Sequence, residues 1–587
     1  MSTAGPFPRC SFPLGGTPPV LQIEDLAIET ENARPGSAPI VTGINVSVHP
    51  GEVVALIGES GSGKTTIALS ALGYLRPGLV HTRGRVLLNG ADVLNFGGPA
   101  LRELRGNKVA YVSQSAAAGF NPGLTIGEQV IEPVLEHGLA KRSEAQRRAL
   151  ELYTELDLPD HQRIGTRFPH EVSGGQLQRL MAAMAMGSGP DLIVFDEPTT
   201  ALDVTTQISV LMSFKKLIRE RRAAAVYVSH DLAVVAQIAD RIIVLLNGEI
   251  QEAGTTEELI ARPKSQYTRI LILASDPGRA TPPASAAVAS AAPVVQDPPR
   301  NVASEPVLTA RNLIAGYGAI DAAGMPAIKA LSNVNLTLHR GRFLGVIGES
   351  GSGKSTLARV IAGLVPRTSG EVLLGAGQLA PGIERRTKDQ LRRLQIVFQA
   401  ADTALNPKHT IGKVLGRAVE HLLGLSGQAC KEKVASVLDM VQLPASFAER
   451  LPQQLSGGQK QRVNLARALV ADPDVIICDE VTSALDSVVR EQIIKLLQDL
   501  KERLGLSVIL ISHDISTIAA LAEDTMVMLR GAVVEAGPTS AILNRPLHAY
   551  SKMLIGSVPQ LRTGWLEEAV AKRATIELPH DVRLVLD

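Results

Sequence analysis

GESGSGKTT, Gly58 to Thr66, decides how the rest of the chain is read. It stands between VVALI (Val53 to Ile57) and IALSAL (Ile67 to Leu72). An unbroken apolar run predicts a buried parallel strand, and the apolar stretch after the loop predicts a helix. The loop fits G-x-x-x-x-G-K-[ST] at Gly58, Gly63, Lys64 and Thr65. Phosphate oxygens need bare backbone N–H groups at close range, where a Cβ would obstruct them. The helix N-terminus adds its partial positive charge. Lys64 is placed to neutralise the β- and γ-phosphates, and the Thr65 hydroxyl to ligate Mg²⁺. One such pattern could be a chance Gly-rich turn. Chance fails because the stretch returns as GESGSGKST, Gly348 to Thr356, again after an apolar strand (Phe343 to Ile347).

The repetition extends well beyond the loop. Gly58 pairs with Gly348 at an offset of 290, and Gln114 with Gln399 at 285. Ser173 with Ser456, Asp196 with Asp479 and His230 with His513 all pair at 283. Near-constant offsets over many motifs mean a duplicated domain of roughly 250 residues, larger than a solenoid repeat. The copies span 20–274 and 307–560, after a lead-in of 1–19 and before a tail of 561–587. The intervening 275–306 is dominated by Ala, Pro and Ser. Its prolines exclude an Ala-rich helix, so it reads as an unstructured, partly stiff linker. Such a linker spans on the order of 30 Å and holds two facing domains at roughly millimolar effective concentration.

Composition narrows the class. The 587 residues are 45% hydrophobic and 20% charged, ordinary values for a globular chain with room for two or more cores. A formal net charge of +1 supplies no global basic field for nucleic acid or anionic lipid. Cys10, Cys430 and Cys478 are scattered, without metal spacing or a disulfide framework, as suits a reducing cytoplasm. Cys478, inside an apolar strand, reads as a small core residue. No run of about 18 or more apolar residues predicts a membrane span. The Pro- and Gly-rich lead-in lacks the apolar core of a secretory signal. Work at a membrane would therefore require docking on something that spans it.

Each copy opens with alternating apolar residues, from Leu21 and from Leu308, which predict antiparallel strands. INVSV (Ile44 to Val48) and VNLTL (Val334 to Leu338) follow, and the phosphate loop comes next. RVLLNG (Arg85 to Gly90) and EVLLGAG (Glu371 to Gly377) predict hairpin strands. Helical stretches run from about Ile126 to Leu158 and from about Ile411 to Leu443. The strands LIVFDE and VIICDE, then AVYVSHD and VILISHD, alternate with helices. The expected fold is α/β: two tandem cores of mainly parallel sheet, each with an antiparallel β subdomain and an α-helical subdomain.

The chemistry falls at strand ends. An apolar strand ending in Asp-Glu sets two carboxylates at the edge where parallel sheets gather ligands. Asp196 and Asp479 are expected to hold Mg²⁺, and Glu197 and Glu480 to polarise the attacking water. Ser173, Gly174, Gly175 and Gln176, with Ser456, Gly457, Gly458 and Gln459, read either as a second anion cradle or as a plain helix cap. A single His after a strand is usually structural. His230 and His513 each come 34 residues after the Asp of their copy, a symmetry that favours a γ-phosphate contact. The shared placement of Gln114 and Gln399 favours a Mg²⁺ or water ligand that also senses the helical insert.

Phosphate loop, Gln, SGGQ, apolar-DE and SH, in this order and twice, resemble the ATP-binding cassettes of ABC transporters. The resemblance spans nearly everything except the lead-in, the linker and the tail. It implies ATP contacts from Gly58, Glu59, Ser60, Gly61, Ser62, Gly63, Lys64, Thr65 and Thr66. In the second copy it implies Gly348, Glu349, Ser350, Gly351, Ser352, Gly353, Lys354, Ser355 and Thr356. Mg²⁺ would be held by Thr65, Gln114 and Asp196, and by Ser355, Gln399 and Asp479. The catalytic groups would be Glu197, His230, Glu480 and His513. The family also implies a head-to-tail sandwich in which Lys64 works with Ser456 and Lys354 with Ser173. TALD and SALD, ending at Asp203 and Asp486, resemble the loops that touch across its seam.

A narrower match follows each glutamine. FNPGLTIGEQV (Phe120 to Val130) and LNPKHTIGKVL (Leu405 to Leu415) resemble the LNP-x-x-T-I-G stretch of the oligopeptide, dipeptide and nickel importer branch. RPKSQYTRIL and RPLHAYSKML resemble its post-cassette segment. This implies an ATPase on the cytoplasmic face of the inner membrane, driving a peptide-type importer. It would be docked on two permease subunits and served by an extracytoplasmic binding protein. Nickel or another small solute is an alternative cargo. A Cys-rich extension of that branch, sometimes carrying an iron–sulfur cluster, has no counterpart here, so no cluster is expected. The family usually stacks adenine on an aromatic in the early strands. Tyr317 fits in copy two, but its counterpart in copy one is Thr30, and no Phe, Tyr or Trp occurs from Leu21 to Pro50. The rival from another class is a two-cassette ABC translation factor acting on the ribosome. Its linker would be long, helical and charged, and a clustered Lys/Arg footprint should accompany it. Neither is found, so no nucleic-acid partner is expected. Trp565, in the tail, receives no role from the sequence.

Overall fold

Val53–Gly58 is a strand buried at every position, and its flanking order follows from that. Both faces must be covered: Val53, Ala55 and Ile57 share a core with helix residues such as Leu180 and Phe214, and Val54 and Leu56 share one with Ile67 after the loop and with the strand residues Leu26 and Ile44. This computed structural model describes residues 17–32, 37–200, 202–275, 305–321, 325–399, 404–482 and 485–576. The expected linker and lead-in lie largely outside the described residues, as do the end of the tail and parts of TALD and SALD (Ala201, Ser483, Ala484). The chain divides into two units. The first comprises Met1–Ala280, Asp486–Val488 and Pro559–Asp587; the second comprises Thr281–Leu485 and Val489–Val558.

In the first unit, Val53–Gly58 pairs in parallel with Ala224–Ser229 on one side and Arg241–Leu246 on the other. Leu192–Asp196 and Val109–Val112 extend the parallel sheet, and Glu249–Thr255 closes the opposite edge antiparallel. A separate antiparallel sheet joins Leu21–Thr30 to Val41–Val48 and Leu79–Leu88. The helical insert is Ile126–Glu136 and Arg142–Glu155. On one face of the large sheet Phe195 lies 5.0 Å from Phe214 and 5.9 Å from Tyr227, ring centre to ring centre. Truncating a buried aromatic such as Phe195 to Ala costs about 3–5 kcal/mol.

The second unit repeats the plan: Phe343–Ile347 sits between Ser507–Ile511 and Asp524–Leu529, all parallel. Val475–Asp479 and Leu394–Val397 follow in order. Its antiparallel sheet joins Pro306–Ile320 to Pro326–His339 and Ser369–Leu374. Its insert is Ile411–Leu423 and Gly427–Met440. Cys478 is fully buried in its strand, and burial pushes its thiol up to about 12, as befits a core residue. Among the described residues no helix is long and apolar enough to cross a membrane.

The C-terminal segment packs within the first unit. Leu561, Trp565, Leu566 and Ala569 share a core with Ile208, Leu211, Val235 and Ile238. Gln237, 1% exposed, pins it. Its amide donates to the carbonyls of Gln560 (2.7 Å) and Arg562 (3.0 Å), and its oxygen accepts the Leu566 N–H (3.1 Å). Lys215 pairs with Glu567 at 2.7 Å, and Arg573 donates to the Thr205 carbonyl at 2.9 Å. The last contact reaches the first turn of Val204–Arg221, the helix capped by Asp203.

Candidate nucleotide-hydrolysis sites

Each loop after the central strand turns into a helix at a left-handed glycine, Gly63 (φ 92°) or Gly353 (φ 99°). A Cβ on Gly63 would stand 2.3 Å from Val41 Cγ1, and one on Gly353 2.7 Å from the Ala330 carbonyl oxygen. Conformation and space both require glycine there. Lys64 and Lys354, each 6% exposed, begin the helices Lys64–Ser70 and Lys354–Ala362. Each Nζ donates to the loop's own carbonyls, at 2.8 and 2.7 Å in both units. Burial lowers the Lys64 ammonium from its usual value, while Glu197, Asp486 and Asp196 draw it back up.

The carboxylates stand at the same sheet edge. Thr65 Oγ1 donates to Asp196 Oδ1 and Ser355 Oγ to Asp479 Oδ1, both at 3.0 Å. Burial raises both aspartates above their usual range, against the opposing hydroxyl bonds. Among the described residues no cluster of three or more His, Cys, Asp or Glu could hold a metal alone. A hydroxyl and one carboxylate oxygen set together suit a hard, six-coordinate ion that takes its other ligands from phosphate and water, as Mg²⁺ does.

Glu197 and Glu480 follow these aspartates in left-handed backbone, φ 49° and 53°. Such conformations are uncommon for a non-Gly residue. Backbone bonds from Glu197 to the Val228 carbonyl and from Glu480 to that of Ile511, both 3.0 Å, hold the turn. His230 Nδ1 lies 3.2 Å from Glu197 Oε1, and His513 Nδ1 3.5 Å from Glu480 Oε2. Burial pushes each glutamate up, but the histidine's hydrogen bond and charge, with the loop lysine, bring it below the ordinary carboxylate range. Both are therefore ionised at neutral pH and able to accept a proton from water. Gln114 Nε2 donates to Glu197 Oε2 at 3.3 Å and Gln399 Nε2 to Glu480 Oε2 at 2.6 Å. The structure thus engages the glutamine amides with the glutamates, beside the Asp–hydroxyl pairs.

The SGGQ stretches start the helices Gly174–Met186 and Gly457–Leu469 with reciprocal capping boxes between Ser173 and Gln176 and between Ser456 and Gln459. The cap reading is therefore satisfied, while Ser173, Gly174, Ser456 and Gly457 remain exposed at a helix end that favours anions. A Cβ on Gly175 would meet Thr206 Cγ2 at 2.1 Å, and one on Gly458 Val489 Cγ1 at 2.5 Å. The second glycine lets two helices approach. Asp203 caps its helix by accepting the Thr206 N–H at 3.0 Å. Within the first unit, Asp486 Oδ2 accepts the Ser60 N–H at 3.3 Å. Tyr317, 41% exposed, presents its ring beside the second loop helix, its hydroxyl 3.2 Å from Thr356 Oγ1.

Several participants were missed in the sequence. Tyr267 OH accepts the Glu59 N–H at 3.1 Å, and Tyr550 OH the Glu349 N–H at 2.9 Å. These tyrosines buttress the loops from the post-cassette segment, and their offset of 283 equals that of the later motifs. Tyr111 OH donates to Asp196 Oδ2 at 2.8 Å. Thr200 Oγ1 donates to Glu197 Oε2 at 3.2 Å.

Two P-loop ATPase cores of the ATP-binding-cassette kind are what this fold and these side chains define. The family model for the ABC transporter domain matches residues 41–200 and 331–483. The model for the C-terminal region of oligopeptide/dipeptide transporters matches residues 534–580. The peptidoglycan transport ATP-binding protein YejF of Agrobacterium fabrum is 36% identical over 548 residues, covering 92% of this chain and 96% of that protein. The glutathione import ATP-binding protein GsiA of Escherichia coli K12 is 36% identical over 563 residues, covering 92% and 89%. A solved ATP-binding cassette in a post-hydrolysis state with ADP and phosphate is 32% identical over 40% of this chain and 98% of its own, at a TM-score of 0.35. The chain belongs to the ABC transporter ATP-binding proteins, as a fusion of two cassettes with the C-terminal region of the oligopeptide/dipeptide branch. It is an ATPase.

Proposed function

We propose that the chain energises a peptide-type importer from the cytoplasmic face of the inner membrane. Two permease subunits would seat their cytoplasmic helices on the helical inserts, and an extracytoplasmic binding protein would deliver the solute. The observation that carries this reading is the match of residues 534–580 to the oligopeptide/dipeptide C-terminal region, in a chain with two intact sets of hydrolytic groups. The names of the two relatives, which refer to peptidoglycan and glutathione, favour small peptide-bearing cargo.

Each ATP would lie on one cassette's loop and be completed by the other cassette's serine: Lys64 with Ser456, Lys354 with Ser173. Lys64 and Lys354 neutralise the phosphates. Thr65 and Asp196, or Ser355 and Asp479, would hold Mg²⁺, which would supply charge neutralisation for the triphosphate. Glu197 and Glu480 take a proton from the attacking water. His230 and His513 keep them ionised and face the γ-phosphate, and Gln114 and Gln399 orient water and report to the insert. Asp203 and Asp486 act at the seam. No iron–sulfur cluster and no nucleic acid take part.

The test is affinity purification of the full chain from membranes. Two co-purifying permeases are expected, with an ATPase activity of this chain that rises on adding peptide-loaded binding protein. Recovery with ribosomes, or stimulation by nickel alone, would overturn the reading.

A further inference from the structure

We propose that the helical insert of the second unit takes an acidic cytoplasmic helix of one permease subunit, and that the first insert turns that helix away by charge. The proposal rests on the reading that permeases seat on the inserts, and adds which kind of segment each insert accepts. In Ile411–Leu423 the exposed side chains Lys413, Arg417 and His421 fall four residues apart. That spacing sets them on one face of the helix. His409, just before the helix cap Thr410, extends the row. Slight burial lowers its imidazolium below the usual range, and Lys413 and Arg417 lower it further, as where positive groups gather. Lys413, Arg417 and His421 form no ion pair among the described residues.

The row borders a hollow. A cavity of about 680 Å³ lies where Arg417, Ala418, His421 and Leu422 meet Gln395 of the edge strand Leu394–Val397 and Arg467 of Gly457–Leu469. Burial lowers the Arg467 guanidinium, which donates to the Ala404 carbonyl at 2.6 Å. Glu420 is the one carboxylate on this wall. The hollow thus joins cationic side chains to the apolar Ala418 and Leu422. A lipid headgroup layer is flat and would meet the charged row alone. An amphipathic acidic helix can lay apolar side chains into the hollow and carboxylates against the row.

The first unit carries the opposite sign at the same positions. At the offset of 285 that relates Gln114 to Gln399, Lys413, Arg417 and His421 correspond to Glu128, Glu132 and Glu136, all exposed on Ile126–Glu136. Gln395 corresponds to Ala110, and Arg467, at 283, to Met184. Glu128 is paired with Arg142 of the neighbouring helix, while Glu132 and Glu136 form no ion pair among the described residues. Helix stability selects neither row. Like charges four residues apart repel. Lys413 sits in a first turn, where the helix dipole disfavours a cation, and Glu136 ends a helix, where it disfavours an anion. One plan of insert therefore holds opposite charge on one face. An acidic helix is attracted by the second and repelled by the first, and a difference of that kind separates similar partners. It gives a fused pair of cassettes a fixed order for two unlike permeases.

The test places a photo-crosslinking residue at Ala418, or at its counterpart Pro133, in the full chain in its own membranes. The captured segment is read by mass spectrometry. From Ala418 it should be a permease segment with Asp or Glu three or four residues apart. The triple variant Lys413→Glu, Arg417→Glu, His421→Glu installs the residues with which the first insert folds, and an unchanged melting temperature verifies its integrity. Its capture of that segment should fall at least about tenfold, while capture from Pro133 stays unchanged. Lys in place of the segment's carboxylates should restore it. A captured permease segment without carboxylates, or undiminished capture by the triple variant, would overturn the proposal and leave permease seating intact. Lipid or nucleic acid captured at Ala418 would overturn it in favour of a polyanion surface. No permease segment from either position would overturn the seating as well.

Discussion

Asp196 accepts hydrogen bonds from Thr65 and from Tyr111, at 3.0 and 2.8 Å. In the second unit the strand position equivalent to Tyr111 is Ile396, which cannot donate to Asp479. Tyr317 offers an exposed ring beside the second loop helix, while the matching end of the first strand system is Thr30. The glutamates differ less: Gln114 reaches Glu197 at 3.3 Å and Gln399 reaches Glu480 at 2.6 Å. The groups proposed to break bonds are present in both units, and the groups around them differ. Asp196 has a second hydrogen bond that Asp479 lacks from the matching strand position, and only the second unit has an exposed ring at the matching strand end. The difference teaches that equal chemistry need not mean equal affinity.

Glu197→Gln and Glu480→Gln test the shared part and should have the largest effect. Removing a general base costs about 10²- to 10⁴-fold. Each single variant should bind ATP and stall. Steady-state phosphate release with either variant at wild-type rate would remove these glutamates as bases. A loss limited to half the rate in each would instead show two independent sites.

The tail separates the units next. Only the first contains the Trp565–Thr575 helix. Trp565→Ala should cost about 3–5 kcal/mol of local stability. Hydrogen exchange should quicken in 204–221 and 232–238 and stay unchanged in 487–504. Equal acceleration in both regions would mean that the tail supports the whole chain.

The adenine contrast is smaller. Tyr317→Ala should weaken ATP at the Lys354 site by about 1 kcal/mol, roughly fivefold, and leave the Lys64 site unchanged. Thr30→Tyr should narrow the gap from the other side. Binding is read in Lys64→Ala and Lys354→Ala backgrounds, and equal affinities there would erase the asymmetry.

These contrasts divide by how far a residue can be read locally. The phosphate loops, the strand-end Asp-Glu pairs and both sheets were legible because each motif is contiguous and its chemistry constrains it. Tyr267 and Tyr550 were legible in principle, through the shared offset of 283, but a tyrosine donates or accepts almost anywhere. The tail was not legible. Gln237 and Leu566 are 329 positions apart, and a short helix with one apolar face carries no address. Nor was the glutamine's partner, since a strand-end amide reaches either of two adjacent carboxylates.

Tyr111→Phe should give the smallest effect and the sharpest one. Burial is the main influence on Asp196 and raises its pKa; the Tyr111 and Thr65 hydrogen bonds lower it. Deleting the phenol leaves burial less opposed, so the pKa rises further. A carboxyl whose folded pKa exceeds its unfolded one favours folding while protonated, and that contribution fades as pH rises through the folded value. Metal binding needs the ionised form, so it runs the opposite way. In a Lys354→Ala background, the acid limb of Mn²⁺·ATP binding at the Lys64 site should move to higher pH. Affinity at pH 8 should fall only about threefold, within the range of one hydrogen bond. The metal-free protein should gain slightly more stability on acidification than its parent. Ile396→Tyr, placing a phenol beside Asp479, should shift the second site's acid limb downward. If neither limb moved, Tyr111 would be packing alone, and the two carboxylates would be equivalent after all.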